Sequence, residues 1–266
     1  MYQRPTPVRC RFPVLLQSVY ALAIALLLSG CAARDTRPVE QAGHSADVIE
    51  HHTIALLGAS GMVGEYLLQE ALARGYTVRA LARTPAKLAA FGERITIVQG
   101  DARDPDVVQE LLRGSDAVIS ALGPVKADGD AALFINTDVT RNILLAMEQQ
   151  GIRRYVLVSG AAVVMPGDER NLLGWWIRAL VQIGLNDALH DKQAEYEILA
   201  QSNADWTLVR CPLIDPQPFR ESPLVSLLSP PAFQVRAGEV ARFTIEQIDA
   251  STYLRQGPFL GSRADR

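Results

Sequence analysis

Seven residues, Gly58-Ala59-Ser60-Gly61-Met62-Val63-Gly64, carry the strongest chemical signal in the chain. Glycines at this spacing suit a turn whose backbone N–H groups receive a phosphate. Gly58 lets the chain reverse sharply, Gly61 lets a pyrophosphate approach without a Cβ in its way, and Gly64 allows close helix–sheet packing. A helix opening at this turn adds its dipole, which favours the negative charge of a dinucleotide at Ser60, Gly61, Met62 and Val63. A tight strand-to-helix turn without a ligand has the same composition. The flanking sequence favours the phosphate site, because an apolar run precedes the turn and a helical pattern follows it.

Cofactor choice rests on the end of the second apolar run, where Ala82 is followed by Arg83, with Arg79 nearby and no acid. A carboxylate there accepts hydrogen bonds from the ribose 2′-OH of NAD, whereas a guanidinium binds a 2′-phosphate with two hydrogen bonds. The expected cofactor is therefore NADP(H), with NAD as the second possibility. Histidine titrates near neutral pH, which makes His190 a candidate proton donor. No HExxH, GxSxG or helically spaced carboxylate pair occurs, so hydrolase and metal mechanisms have no support.

Composition bounds the rest. The chain has 266 residues, 48% hydrophobic and 21% charged, with a formal net charge of -3. That suits one α/β domain with a sizeable core and offers no basic patch for nucleic acid. Cys10, Cys31 and Cys211 are far apart, which rules out a disulfide framework or zinc site on spacing.

These residues need a scaffold, and the pattern supplies one. Apolar runs at 53–57, 76–82, 95–98, 117–121, 155–158 and 206–209 read as strands buried on both faces of a parallel sheet. Helical patterns fall at 64–74, from Asp104-Pro105 through Leu112, at 137–150 and at 187–201, and Gly75 reads as a C-cap. Alternating strands and helices predict a Rossmann-type, doubly wound parallel sheet in a single domain over 51–266. The expected strand order is 3-2-1-4-5-6, with a ligand crevice at the carboxyl ends of strands one and four. Apolar stretches around Trp175 and Trp176, at Leu213 and Ile214, and at Leu224, Val225, Leu227 and Leu228 are candidate walls of an apolar substrate pocket.

The glycine loop resembles that of the short-chain dehydrogenase/reductase superfamily, in its atypical NmrA-like and biliverdin-reductase-B-like branch. Residues 78–88, 98–104, Ser120-Ala121-Leu122-Gly123, Val156-Leu157-Val158-Ser159 and 204–212 carry the same likeness, with Cys211 where proline is usual. It spans residues 53–214. The resemblance implies that Asp101 contacts the adenine and that Ala121 and Gly123 lie against the cofactor. It further implies that Ser159 hydrogen-bonds a substrate carbonyl and that Lys192 holds the nicotinamide ribose. The superfamily's tyrosine, four residues before the lysine, is replaced by Ala188. Two functions follow as expectations. One is a reductase of a small apolar or aromatic acceptor such as a quinone, flavin or carbonyl compound. The other is a non-catalytic NADP(H)-binding sensor or membrane-associated assembly factor.

Residues 1–30 are a signal rather than fold. Arg4, Arg9 and Arg11 precede an apolar stretch, and Leu28-Ser29-Gly30-Cys31 resembles the bacterial lipoprotein signal, in which the cysteine is acylated. An uncleaved anchor is the alternative, with the domain on the cytoplasmic side. Residues 31–50 read as a flexible tether. The expected location is the bacterial envelope, membrane-attached through Cys31.

Overall fold

Side chains that alternate along short central strands decide how this chain layers. The computed structural model describes residues 53–123, 134–169 and 186–264. The signal, Cys31, the tether and the stretch containing Trp175 and Trp176 lie outside them.

In β1 (Thr53–Leu57) Ile54 and Leu56 pack on one face, while Ala55 and Leu57 pack on the other. A period of two with apolar residues at every position leaves neither face for water, so helices must cover both. On the first face lie α1 (Met62–Ala73), through Val63, Leu67, Leu68 and Ala71, and α5 (Ala237–Glu246). On the second lie α2 (Pro105–Leu112), α3 (Ile135–Gln150) and α4 (Asn186–Gln201). Gly75, at φ +85°, ends α1 as its pattern implies, and Asp104 caps α2 by accepting the Asp106 N–H at 3.0 Å.

The remaining strands are β2 (Thr77–Ala82), β3 (Ile95–Gln99), β4 (Ala117–Ser120), β5 (Arg154–Gly160), β6 (Asp205–Cys211), β7 (Leu213–Asp215), β8 (Leu224–Ser226), β9 (Gln234–Arg236) and β10 (Phe259–Gly261). The main sheet runs β3-β2-β1-β4-β5-β6-β10-β8, with only β8 antiparallel to its neighbour, and β7 and β9 form a small second sheet. The expected order holds across its first six strands. The pattern did not disclose the two added strands, because three-residue strands are too short to show a period. The carboxyl ends of β1, β4, β5 and β6 share one edge: β1 and β4 end level, and β5 and β6, level with each other, run three residues further. Among the described residues no helix is long and apolar enough to cross a membrane.

A buried charge locks that edge. Arg210 of β6 places its Nη1 2.8 and 2.9 Å from the two Asp168 carboxylate oxygens, and its Nε donates to the Gly257 carbonyl at 2.7 Å. Its guanidinium stacks on Phe259, 3.6 Å from the ring centroid, and both charged side chains are nearly inaccessible to water. This joins β6, β10 and the loop after β5. Removing one partner of such a pair leaves a bare charge in the interior, which typically costs about 3–5 kcal/mol. Asp168→Ala is expected to lower the unfolding free energy by about that amount, measured by urea denaturation.

Candidate functional site

The glycine turn works through close contact of backbones. Gly58, at φ +81°, sits where a Cβ would lie 2.7 Å from the Ala121 carbonyl oxygen after β4. At Gly64 a Cβ would stand 1.9 Å from the Gly58 carbonyl oxygen. Gly64 is therefore required by the turn itself rather than by helix–sheet contact in general. Gly61 donates to the Gly58 carbonyl at 2.9 Å and accepts from Glu65, and it caps α1 without a side chain. Ser60, Gly61 and Met62 stay exposed, so a phosphate can reach the N–H groups of the first turn of α1. The turn fits the phosphates of a dinucleotide.

Beside it, at the carboxyl ends of the strands, lies a cleft of about 290 Å³. Met62 and Val63 line it from α1, Ala121, Leu122 and Gly123 from the loop after β4, and Val158, Ser159 and Gly160 from β5. Cys211, Pro212 and Ile214 close it from β6 and β7, and Lys192 reaches in from α4. Ser159 is 5% exposed, and its Oγ has no hydrogen-bond partner among the described residues. A buried hydroxyl without a partner, facing a cleft, is a place for a ligand oxygen or N–H. The Lys192 ammonium lies 2.9 Å from Glu195 Oε2 and 3.4 and 3.5 Å from the Leu122 and Val158 carbonyls. Cys211 is buried, and burial pushes its thiol well above the ordinary range, so it is a neutral wall here. A larger open groove of about 710 Å³ between α1 and residues 85–94 contains none of the predicted site residues.

At the adenine end Arg83 is exposed just past β2. Asp101, after β3, holds its own loop: Oδ1 accepts from the Arg103 N–H and Nε at 2.9 and 3.0 Å, and Oδ2 from Nη2 at 2.6 Å. These bonds to Arg103, with the nearby charge of Arg83, lower its carboxyl to about 2. Its negative charge is thus largely matched by arginine.

Two sequence expectations need correction. Arg79 does not join Arg83. It donates to the Leu111 and Glu110 carbonyls at 2.9 and 2.7 Å and so caps the end of α2. His190 does not line the cleft but is exposed on α4, because two residues of helix turn it about 200° away from Lys192. Of the candidate pocket walls, Ile214 lines the cleft, whereas Leu213 is 72% exposed and Leu227 and Leu228 face solvent. Sequence reasoning missed Glu195 and Asp191. Asp191 accepts the Asn136 and Thr137 N–H groups at 2.9 Å each and so fastens α4 to the start of α3. Their helical spacing around Lys192 was visible, but not which face is buried.

Residues 58–251 match the family described as NAD(P)H-binding. The chain belongs to that family. Among characterised proteins this NAD(P)H-binding chain is similar to a 3 beta-hydroxysteroid dehydrogenase/Delta 5-->4-isomerase of Mycobacterium tuberculosis. The two are 28% identical over 177 residues, covering 62% of this chain and 47% of the relative. The chain therefore spans about half the length of that relative. It is also similar to the Photosystem II assembly factor Ycf39 of Synechocystis sp., 24% identical over 226 residues, covering 79% of this chain and 63% of the relative. A short-chain dehydrogenase/reductase of Veillonella parvula, solved in complex with NADP, superposes with a TM-score of 0.67 at 18% identity, covering 81% of this chain and 96% of that one. The likeness establishes a shared Rossmann-type fold, as the strand and helix pattern implied.

Gly61 has an ordinary φ of -88°, and a Cβ there would stand 3.2 Å from the Gly58 carbonyl oxygen. Gly61→Val is expected to abolish NADPH binding in a fluorescence titration, since its side chain occupies the approach of the pyrophosphate. Loss of the preferred cap residue costs stability only about 1 kcal/mol, and circular dichroism is expected to show the fold retained.

Proposed function

We propose that this chain is an NADP(H)-dependent reductase of a small apolar or aromatic acceptor, a quinone, flavin or carbonyl compound. One observation carries the reading: the Ser159 hydroxyl, without a hydrogen-bond partner among the described residues, and Lys192 line one cleft whose other walls are mostly apolar. The glycine turn holds the pyrophosphate, Ala121 and Gly123 lie along the cofactor's path, and Lys192 holds the nicotinamide ribose. When bound, NADPH supplies the hydride, which is the hard chemistry. Ser159 donates a hydrogen bond to the acceptor oxygen, orienting it and stabilising the charge that develops there. Met62, Val158 and Ile214 keep water away and select an apolar acceptor. No tyrosine acid is available, because Ala188 stands one helical turn before Lys192. This favours acceptors such as quinones and flavins, whose reduced form takes its proton from solvent.

NADPH is preferred over NADH on this reading. Arg83 is exposed just past β2 with no acid beside it in the sequence, and Asp101 is matched by Arg103. A second reading has a specific observation behind it. Ala188 removes the usual acid, and a relative named as an assembly factor aligns over 79% of this chain. On that reading the domain binds NADP(H) and reports redox state to a partner at a membrane. Both readings place the protein at the membrane through an acylated Cys31. The N-terminal mass of the native protein checks this, and retention of Met1 at full length rejects it.

The enzyme reading is tested by NADPH oxidation with a panel of quinones, flavins and aromatic aldehydes. Ser159→Ala is expected to lower turnover with little change in NADPH affinity, because its hydroxyl meets the acceptor. Arg83→Ala is expected to weaken NADPH by about 1.5–3 kcal/mol and leave NADH almost unchanged. Tight NADPH binding without acceptor-dependent oxidation transfers the conclusion to the second reading.

A further inference from the structure

Glu195 lies three residues after Lys192 on α4, and its side chain is 3% exposed. A carboxylate withdrawn from water to that degree is costly unless it is paired and hydrogen-bonded. Both conditions are met on the cleft side of the helix. Its Oε2 accepts from the Lys192 ammonium at 2.9 Å, and its Oε1 accepts from Thr140 Oγ1 of α3 at 3.2 Å. The other titratable groups that face it are Asp191 on its own helix and Tyr155 of β5, whose hydroxyl is 3.5 Å from Thr140 Oγ1. Burial pushes the Glu195 carboxyl upward, and the Lys192 charge and hydrogen bond oppose that push.

The lysine is held from two sides. An ammonium has three donors, and those of Lys192 point among the Glu195 carboxylate and the carbonyls of Leu122 and Val158. These carbonyls stand at the ends of β4 and β5, the latter one residue before Ser159. An exposed lysine and glutamate three residues apart form a weak pair, held no more firmly than solvent allows. Here the pair is withdrawn from solvent and sits at the edge where the cleft opens. The buried carboxylate accounts for the fixed place of the ammonium.

We propose that Glu195 is a positioning residue, which holds the Lys192 ammonium at the ends of β4 and β5 so that it meets the nicotinamide ribose without help from a tyrosine. This deepens the reductase reading and rests on it. Ala188 removes the hydroxyl one helical turn before the lysine, and Glu195 supplies a restraint from the other direction along the helix. Glu195 touches neither acceptor nor cofactor, and its effect reaches the cleft only through Lys192.

The test is a double-mutant cycle in the purified full-length protein, using NADPH affinity and thermal unfolding. Glu195→Gln and Lys192→Ala are each expected to weaken NADPH about tenfold, the scale of one hydrogen bond to a charged group. In the Lys192→Ala background, Glu195→Gln is expected to have no further effect on affinity, since the residue it acts through is gone. Thermal unfolding gives an independent readout. Lys192→Ala leaves a buried carboxylate bare. A carboxyl raised above its unfolded value stabilises the fold at low pH and loses that contribution as pH rises. The Tm deficit of Lys192→Ala against wild type is therefore expected to grow as pH rises above the ordinary carboxylate range, and Glu195→Gln on top of it is expected to restore most of the loss. If Glu195→Gln alone does not fold, Glu195→Asp, which retracts the carboxylate by one methylene, carries the same cycle. Equal weakening of NADPH in the wild-type and Lys192→Ala backgrounds overturns the proposal, as does a Glu195→Gln protein that binds NADPH like wild type. Absence of acceptor-dependent oxidation in the wild type overturns the reductase reading instead, and is separable because neither readout of the cycle requires turnover.

Discussion

At the end of β1 three backbone segments approach so closely that no side chain fits between them. The Gly58 carbonyl occupies the place where residue 64 would carry its Cβ, and the Ala121 carbonyl occupies the place of a Cβ on residue 58. This contact sets how α1 leaves the sheet and how near the loop after β4 comes to it. It also leaves the first N–H groups of α1 open at the point where the strand order turns from β1 to β4, which is where a doubly wound sheet opens a crevice. Phosphate binding and the architecture of the edge thus arise from one steric constraint.

Charge then fixes what sterics has placed. Five ionic side chains near the strand ends are largely withdrawn from water and tied to backbone or to one another: Arg210 with Asp168, Lys192 with Glu195, and Asp191 with the first N–H groups of α3. Such arrangements contribute little net stability over an apolar packing of the same volume, but they allow few alternative geometries. Arg210 stands opposite Ser159 in the β5–β6 register, and its bond to Asp168 holds the loop that follows Ser159. The hydroxyl that faces the cleft therefore stands on a fixed wall, and the lysine beside it is anchored from the far side. A site built this way needs little reorganisation when a ligand arrives.

The adenine end follows a different logic, because its groups are only partly withdrawn from solvent or exposed to it. Asp101 and Arg103 satisfy each other on the surface, and Arg83 adds positive charge just past β2. Screening by solvent makes each of these interactions modest. Together they turn a corner that holds an acid into one that tolerates a phosphate.

Much of this was legible in the amino-acid order. Central strands buried on both faces show as continuous apolar runs, and a glycine that must adopt φ near +80° can be little else, so Gly58, the six-strand order and the phosphate turn could be read directly. The same holds for Ser159 and Lys192, which the resemblance placed and the cleft brings together. Arg79, His190 and Glu195 were not legible in this way. A charged residue's role depends on which face of its strand or helix is covered and on what covers it, and that is set by residues far away in the chain. Arg79 turned to the end of α2, His190 to water and Glu195 to the interior. Local pattern records the period of a segment, while the partner of a charge is decided only when the layers close over it.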